Sequence, residues 1–199
     1  MTIYQIYMMI FMATYFGITL GLRSIILYKN TNVNTGKVFK EETGKKKSGK
    51  LILLAMFLMI VIAINFIWIS QNYKYLIPIS ILEIGSLQTI GFGLSMLGQI
   101  LGFIAQLQMK NSWRLGVDKN AEFDLVTTGL FKFSRNPIYL CLAISLLGFF
   151  LIAPNIISMI CCPLMLYGIN EKIKDEEEFL IEKFGTNFIN YSTKVRRWI

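Results

Sequence analysis

Three groups in the second half of this sequence carry side chains capable of polar chemistry beside long apolar runs: Arg135-Asn136-Pro137-Ile138-Tyr139, Lys172, and Glu176-Glu177. Pro137 suits the first turn of a helix, where its missing N–H costs nothing, and it pushes Asn136 toward an extended conformation. Arg135 is thereby held just outside a helix start. A planar guanidinium there can grip a carboxylate or phosphate through two parallel hydrogen bonds. Lys172 and Glu176 are four residues apart on one helical face, with Leu180 a turn further on. An ordinary interfacial helix laced by salt bridges has the same spacing, so the spacing alone leaves both readings open.

The elements that position these groups are two short apolar segments broken at Ala153-Pro154-Asn155. The break predicts a helical hairpin that returns the chain to the side it left. An Arg-x-Pro entering one membrane helix and an acidic pair leaving the next then meet at one membrane face. Charged groups are expensive against lipid, which makes function the default reading of such a cluster.

The chain has 199 residues, 54% hydrophobic and 16% charged, and its apolar blocks are too long for a soluble core. A spanning helix needs about 20 apolar residues. The expected class is all-α: a polytopic membrane helical bundle of about five transmembrane helices, with a carboxy-terminal helical hairpin and a cytoplasmic tail. Ile3 to Leu22 reads as the first helix. It does not read as a cleaved signal, since no positive charge precedes it and no small-x-small site follows. Leu51 to Ser70 reads as the second helix. Leu76 to Met109 reads as one helix of roughly 50 Å at 1.5 Å per residue, tilted or extended beyond the membrane. Gly91, Ser95, Gly98 and Gly102 form a stripe of small residues along it, where another helix can approach closely. The expected organisation is 1–109 as amino-terminal transmembrane helices with a basic loop at 28–50, and 110–199 as the region bearing the chemistry.

With the amino terminus outside, 19 of the 20 Lys and Arg residues fall on inner segments and only Lys74 outside. That bias is what the positive-inside rule demands, and it accounts for the net charge of +8 without nucleic acid. It puts the polar motifs on the cytoplasmic face of a multi-pass protein, expected in the cell membrane. The chain has no histidine, which removes His-based metal sites and Ser-His triads, so no metal site is expected. Cys141, Cys161 and Cys162 sit in the apolar hairpin without an activating base and read as structural thiols.

Taken together, Leu125-Val126-x-x-Gly129-x-Phe131, Arg135-x-Pro137-x-Tyr139, Glu176-Glu177-x-x-Leu180, Phe184-Gly185 and Tyr191 resemble the isoprenylcysteine carboxyl methyltransferase family and its relatives, the phospholipid methyltransferases. The likeness covers roughly residues 110–199; the first three-fifths match only as hydrophobic helices. It implies a membrane-embedded enzyme that uses S-adenosyl-L-methionine and builds its pocket from the hairpin and its flanks. By that resemblance Phe123, Asp124, Leu125 and Val126 line the cofactor largely through backbone groups, with Phe131, Asn136, Tyr139 and Glu176 also against it. Arg135, Lys172 and Glu177 become the candidate catalytic groups. Phe131 stands where the family usually has Tyr, Asn136 where it has His, Lys172 where it has Arg, and Cys141 where Gly is common. Asn136 can donate and accept hydrogen bonds but cannot take up a proton, so a binding role survives and an ionisable one does not.

The implied acceptor is a lipid-like or prenylated small molecule drawn from among the membrane lipids. A carboxylate acceptor is already a nucleophile at pH 7. An amine, as in the phospholipid N-methyltransferases, has to lose a proton, and Glu177 is the nearest base. Two rivals are a sterol-reductase-like enzyme, which shares an Arg-x-Pro-x-Tyr hairpin but binds NADPH, and a non-catalytic membrane scaffold. The Glu176-Glu177 pair favours methyl transfer.

Overall fold

A computed structural model describes residues 1–31, 47–112 and 123–199 of the chain. Most of the basic loop expected at 28–50, Lys45 and Lys46 included, lies outside the described residues. Helix α1 (Ile3–Thr14) opens on a capping box in which Thr2 Oγ1 accepts from Gln5 N–H while Gln5 Oε1 accepts from Thr2 N–H. The helix widens into a π-helical stretch, Tyr15–Leu22, and continues as α2 (Arg23–Thr31). The first apolar element therefore does not stop at Leu22. Arg23 is tolerated inside it because its guanidinium donates to two backbone carbonyls, of Gln106 (3.0 Å) and Lys110.

Helix α3 (Lys47–Ile67) is followed by the single turn α4 (Ser70–Tyr73). The expected helix from Leu76 to Met109 is corrected here. The chain is broken between Ile77 and Ile84, and α5 runs only Gly85–Gln108, 24 residues, or about 36 Å. Ile77 sits in the left-handed region (φ 57°) ahead of Pro78. The break is held from outside: Ile79 N–H donates to Pro154 O (2.9 Å) and Ile156 N–H to Ile77 O (3.0 Å).

The hairpin forms as expected. Helix α6 (Pro137–Ile152) begins with Pro137 in its first turn, and α7 (Ile156–Phe184) follows a two-way cap between Asn155 and Ser158, both fully buried. Gly185 (φ 52°) turns the chain into α8 (Thr186–Lys194). Four helical stretches are long and apolar enough to cross a membrane: Ile3–Lys29, Lys47–Ile67, Gly85–Gln108 and Ile156–Phe184. The shorter apolar α6 is a fifth. Among the described residues no strand is present, only an isolated bridge between Pro78 and Asn155. The protein is an all-α integral membrane bundle.

The hairpin arms choose different partners. Helix α6 lies along α5, and small residues let the backbones close up: a Cβ on Gly148 would stand 2.4 Å from Gly91 O, and one on Gly98 2.6 Å from Cys141 O. Helix α7 lies along α3, with Gly168 against Ile52. Helix α1 seals the bundle through Tyr7 stacked on Phe92 (4.3 Å between centroids) and Phe11 tilted against Phe149 (5.7 Å). Between the two pairs, toward the end carrying Arg135 and Glu177, the helices stand apart.

Candidate functional site

The gap is a cavity of about 370 Å³. Its inner walls are Ile52 and Met56 of α3, Gly98, Gln99, Gly102 and Gln106 of α5, Cys141, Leu142 and Ser145 of α6, and Met165 and Ile169 of α7, with Tyr15 and Thr19 from the π-helical stretch. Its outer end is polar. Ten of the residues expected from the sequence line it: Phe123, Asp124, Leu125, Val126, Phe131, Arg135, Asn136, Tyr139, Lys172 and Glu176. Glu177 does not line it.

Neighbouring residues on an α-helix point about 100° apart, which separates the two carboxylates of the acidic pair. Glu176 faces the cavity, where its Oε1 accepts from Tyr139 OH (2.6 Å) and lies 4.0 Å from Lys172 Nζ. Glu177 turns toward the segment after α8. Its Oε1 accepts from Arg135 Nε (3.1 Å) and meets Nη2 at 3.0 Å, and its Oε2 accepts from Arg197 Nε (3.1 Å) and Nη2 (2.6 Å). Arg135 donates further, through Nη1, to Ser192 O (2.8 Å) and Val195 O (3.1 Å). The Arg-x-Pro and the acidic pair thus meet at one end of the bundle, but as a nearly closed ion-pair network.

The segment after α8 completes that network through its backbone. Arg135 N–H donates to Arg196 O (3.0 Å), while Ser134 Oγ and Asn136 Nδ2 both donate to Arg197 O at 3.3 Å. The hydrogen bond to Glu177, reinforced by its charge, pushes the Arg197 guanidinium above its already high ordinary range against a smaller opposing effect of burial. Tyr191 donates to Phe131 O at 2.6 Å. Burial pushes its hydroxyl up to about 12, with the charge of Arg135 pulling the other way, so it stays a neutral donor at ordinary pH.

The remaining wall is fixed from α5 and α7. Gln108 Oε1 accepts from Leu130 N–H (2.8 Å), and Gly129 beside it holds a left-handed conformation (φ 64°) that any other side chain would strain. Phe123 lies under Lys183 Nζ, 4.0 Å from its ring centroid, and against Phe184 and Phe179. Two glutamines extend polarity inward. Gln99 Nε2 donates to Phe11 O (3.2 Å), and the Oε1 atoms of Gln99 and Gln106 are buried without a hydrogen-bond partner.

Several of these residues escape a reading of motifs. Arg197 counts in the sequence only as one more positive charge near the carboxy terminus. Arg23 reads as a topology signal, although it is 4% exposed and sits at the carboxy-terminal end of α5, where a cation is favoured. Gln99 and Gln106 are polar residues in a membrane helix, which is the signal that could have found them. No cluster of potential metal ligands occurs among the described residues.

An amphipathic cavity with a carboxylate, a lysine and aromatic rings at one end and an apolar wall at the other can hold a charged group and an apolar chain together. Residues 90–182 match the family model described as isoprenylcysteine carboxyl methyltransferase (ICMT). The protein-S-isoprenylcysteine O-methyltransferase of Schizosaccharomyces pombe is 31% identical over 111 residues, 54% of this chain and 47% of that protein. Proteins of the same name from Xenopus laevis and Saccharomyces cerevisiae are 28% identical over 138 residues and 33% over 109, spanning 64% and 53% of this chain and 46% of each relative. The chain spans about half the length of the curated relatives it matches. The matched region takes in both arms of the hairpin, the Arg135–Glu177 junction and the cavity-facing Glu176, so the chain's similarity to the isoprenylcysteine carboxyl methyltransferase family falls on the part that builds the site.

Proposed function

We propose that this protein is a membrane-embedded methyltransferase that uses S-adenosyl-L-methionine to methylate a carboxylate on a lipid-like or prenylated acceptor, with the site facing the cytoplasm of the cell membrane. The observation that carries this reading is a cavity joining the Glu176–Lys172–Tyr139 cluster to a mainly apolar interior. Its volume falls in the usual range for small-molecule sites, about 300–1,000 Å³.

The residues present fit the donor. It carries an ammonium, a carboxylate and a sulfonium, and its chemistry is a sulfonium methyl open to in-line displacement. Glu176 offers a carboxylate to the cationic groups, while Phe131 and Tyr139 present ring faces on which a cation is favoured. The backbone of Phe123 to Val126 supplies further hydrogen-bonding groups, and Asn136 serves as an amide in a binding role. Lys172 sits one turn from Glu176 and attracts the acceptor carboxylate. Arg135 and Glu177, locked to each other, act as positioning residues that keep this end of the cavity in shape. A carboxylate attacks without losing a proton, so no base is required. Alignment of nucleophile and methyl alone supplies roughly 7–11 kcal/mol of barrier reduction. In this reading 110–199 holds the donor, and the helices of 1–109 help to house the acceptor's apolar part.

Purified protein in lipid nanodiscs tests this directly. It should bind labelled S-adenosyl-L-methionine and pass labelled methyl to N-acetyl-S-farnesyl-cysteine as a base-labile ester. Binding of NADPH in place of S-adenosyl-L-methionine would turn the reading toward a reductase. Label in a base-stable amine product would replace the carboxylate acceptor with an amine.

A further inference from the structure

Beyond the apolar end of the main cavity lies a second void of about 20 Å³, bordered on its far side by the core residues Phe11, Met59 and Leu146. Five residues line both spaces and so form the partition between them: Tyr15, Met56, Leu142, Ser145 and Met165. The partition is unevenly stiff. On the α6 side Ser145 is tied by its hydroxyl to Cys141 O (3.0 Å) and Ser95 O (3.4 Å), next to the tight α5–α6 contact. On the other side stand two methionines, Met56 of α3 and Met165 of α7, unbranched side chains that adapt to the shape of what they touch. Met165 lies seven residues before Lys172 on α7, about 10 Å deeper along that helix.

We infer that Met56 and Met165 are the stop that sets how long an apolar chain the acceptor can carry. This rests on the proposed reading, in which a carboxylate is held near Lys172 and its chain runs inward beside α7. The chain fills the cavity until it meets the methionine pair. The small void behind them is the space into which a shortened side chain at either position would let it advance.

Chain binding can be read without turnover. Wild-type protein, Met56→Ala, Met165→Ala and Met165→Phe in nanodiscs are titrated calorimetrically with N-acetyl-S-alkyl-cysteines of increasing straight-chain length, each referenced to nanodiscs without protein. Expressed against ligand free in water, once the share dissolved in protein-free nanodiscs is subtracted, every methylene entering the cavity should tighten binding about fourfold, and those beyond the stop should add nothing. The plateau should begin about three carbons later in each Met→Ala variant, which removes that many chain atoms, and earlier in Met165→Phe. Where the buried Met165→Ala fails to fold, half-buried Met56→Ala carries the same test. A plateau at one length in every variant, or none in wild type, overturns the inference. A shifting plateau in a protein that transfers no methyl keeps the stop and rejects the proposed function; methyl transfer with an unmoved plateau does the reverse.

Discussion

Helices α6 and α7 are arms of one hairpin, yet α6 lies on α5 with no room for an added methyl group, whereas α7 and α3 help to enclose a cavity. In lipid there is no hydrophobic force pressing helices together, so side-chain size at the contact decides how close they come. Gly91, Ser95 and Gly98 meet Ser145 and Gly148 on the first pair, while Ile52 and Met56 face the cavity with Met165 and Ile169 on the second. The lesson is a division of labour: one dry seam gives a rigid wall, and the bulkier pair leaves space that its own side chains shape.

The strongest way to break this comparison is to put bulk into the seam. Gly148→Leu, whose Cβ alone would stand 2.4 Å from Gly91 O and 2.6 Å from Ser95 N, should cost at least about 3 kcal/mol and lower the melting point in detergent sharply. Wild-type melting in that variant would show that the seam yields. Glu177→Ala comes next. It leaves Arg135 and Arg197 without their shared carboxylate and should destabilise the fold by about 3 kcal/mol in a denaturant titration.

Its neighbour should behave differently because it faces the other region. Glu176→Gln should weaken S-adenosyl-L-methionine binding by about 1.5–3 kcal/mol, measured by equilibrium binding, while melting stays close to wild type. Equal donor affinity in a folded variant would remove Glu176 from the donor site. The smallest effect sharpens the seam by control. Gly93 is on α5 but off the contact, with nothing within 4 Å of a Cβ, so Gly93→Ala should stabilise by about 0.5–1 kcal/mol.

The hairpin was legible because its break is written in polar and cyclic residues, Ala153-Pro154-Asn155, and Asn155 caps the next helix as its type allows. The meeting of Arg135 with the acidic pair followed from that return. The break at Ile77–Ile84 was not legible, because it lies among apolar residues and depends on backbone hydrogen bonds to Pro154 and Ile156, more than 70 positions away. Pro78 was the local trace of it. Which of two adjacent glutamates faces the cavity also eluded the motif, since that depends on the rotation of α7 against its neighbours. The role of Arg197 depends on a chain return after Gly185 that no local spacing encodes.

That return has a consequence for how the protein is made. Arg135 leaves the ribosome 42 residues ahead of Glu177, and Asn136 61 residues ahead of Arg197. At about 5–20 residues per second, the wait for Glu177 alone is roughly 2–8 s. Throughout that interval the guanidinium stands ahead of the hairpin's first arm, with none of the partners it has in the folded protein yet synthesised. This end of the bundle therefore closes late, when Glu177, Ser192 and Val195 reach an arginine made well before them.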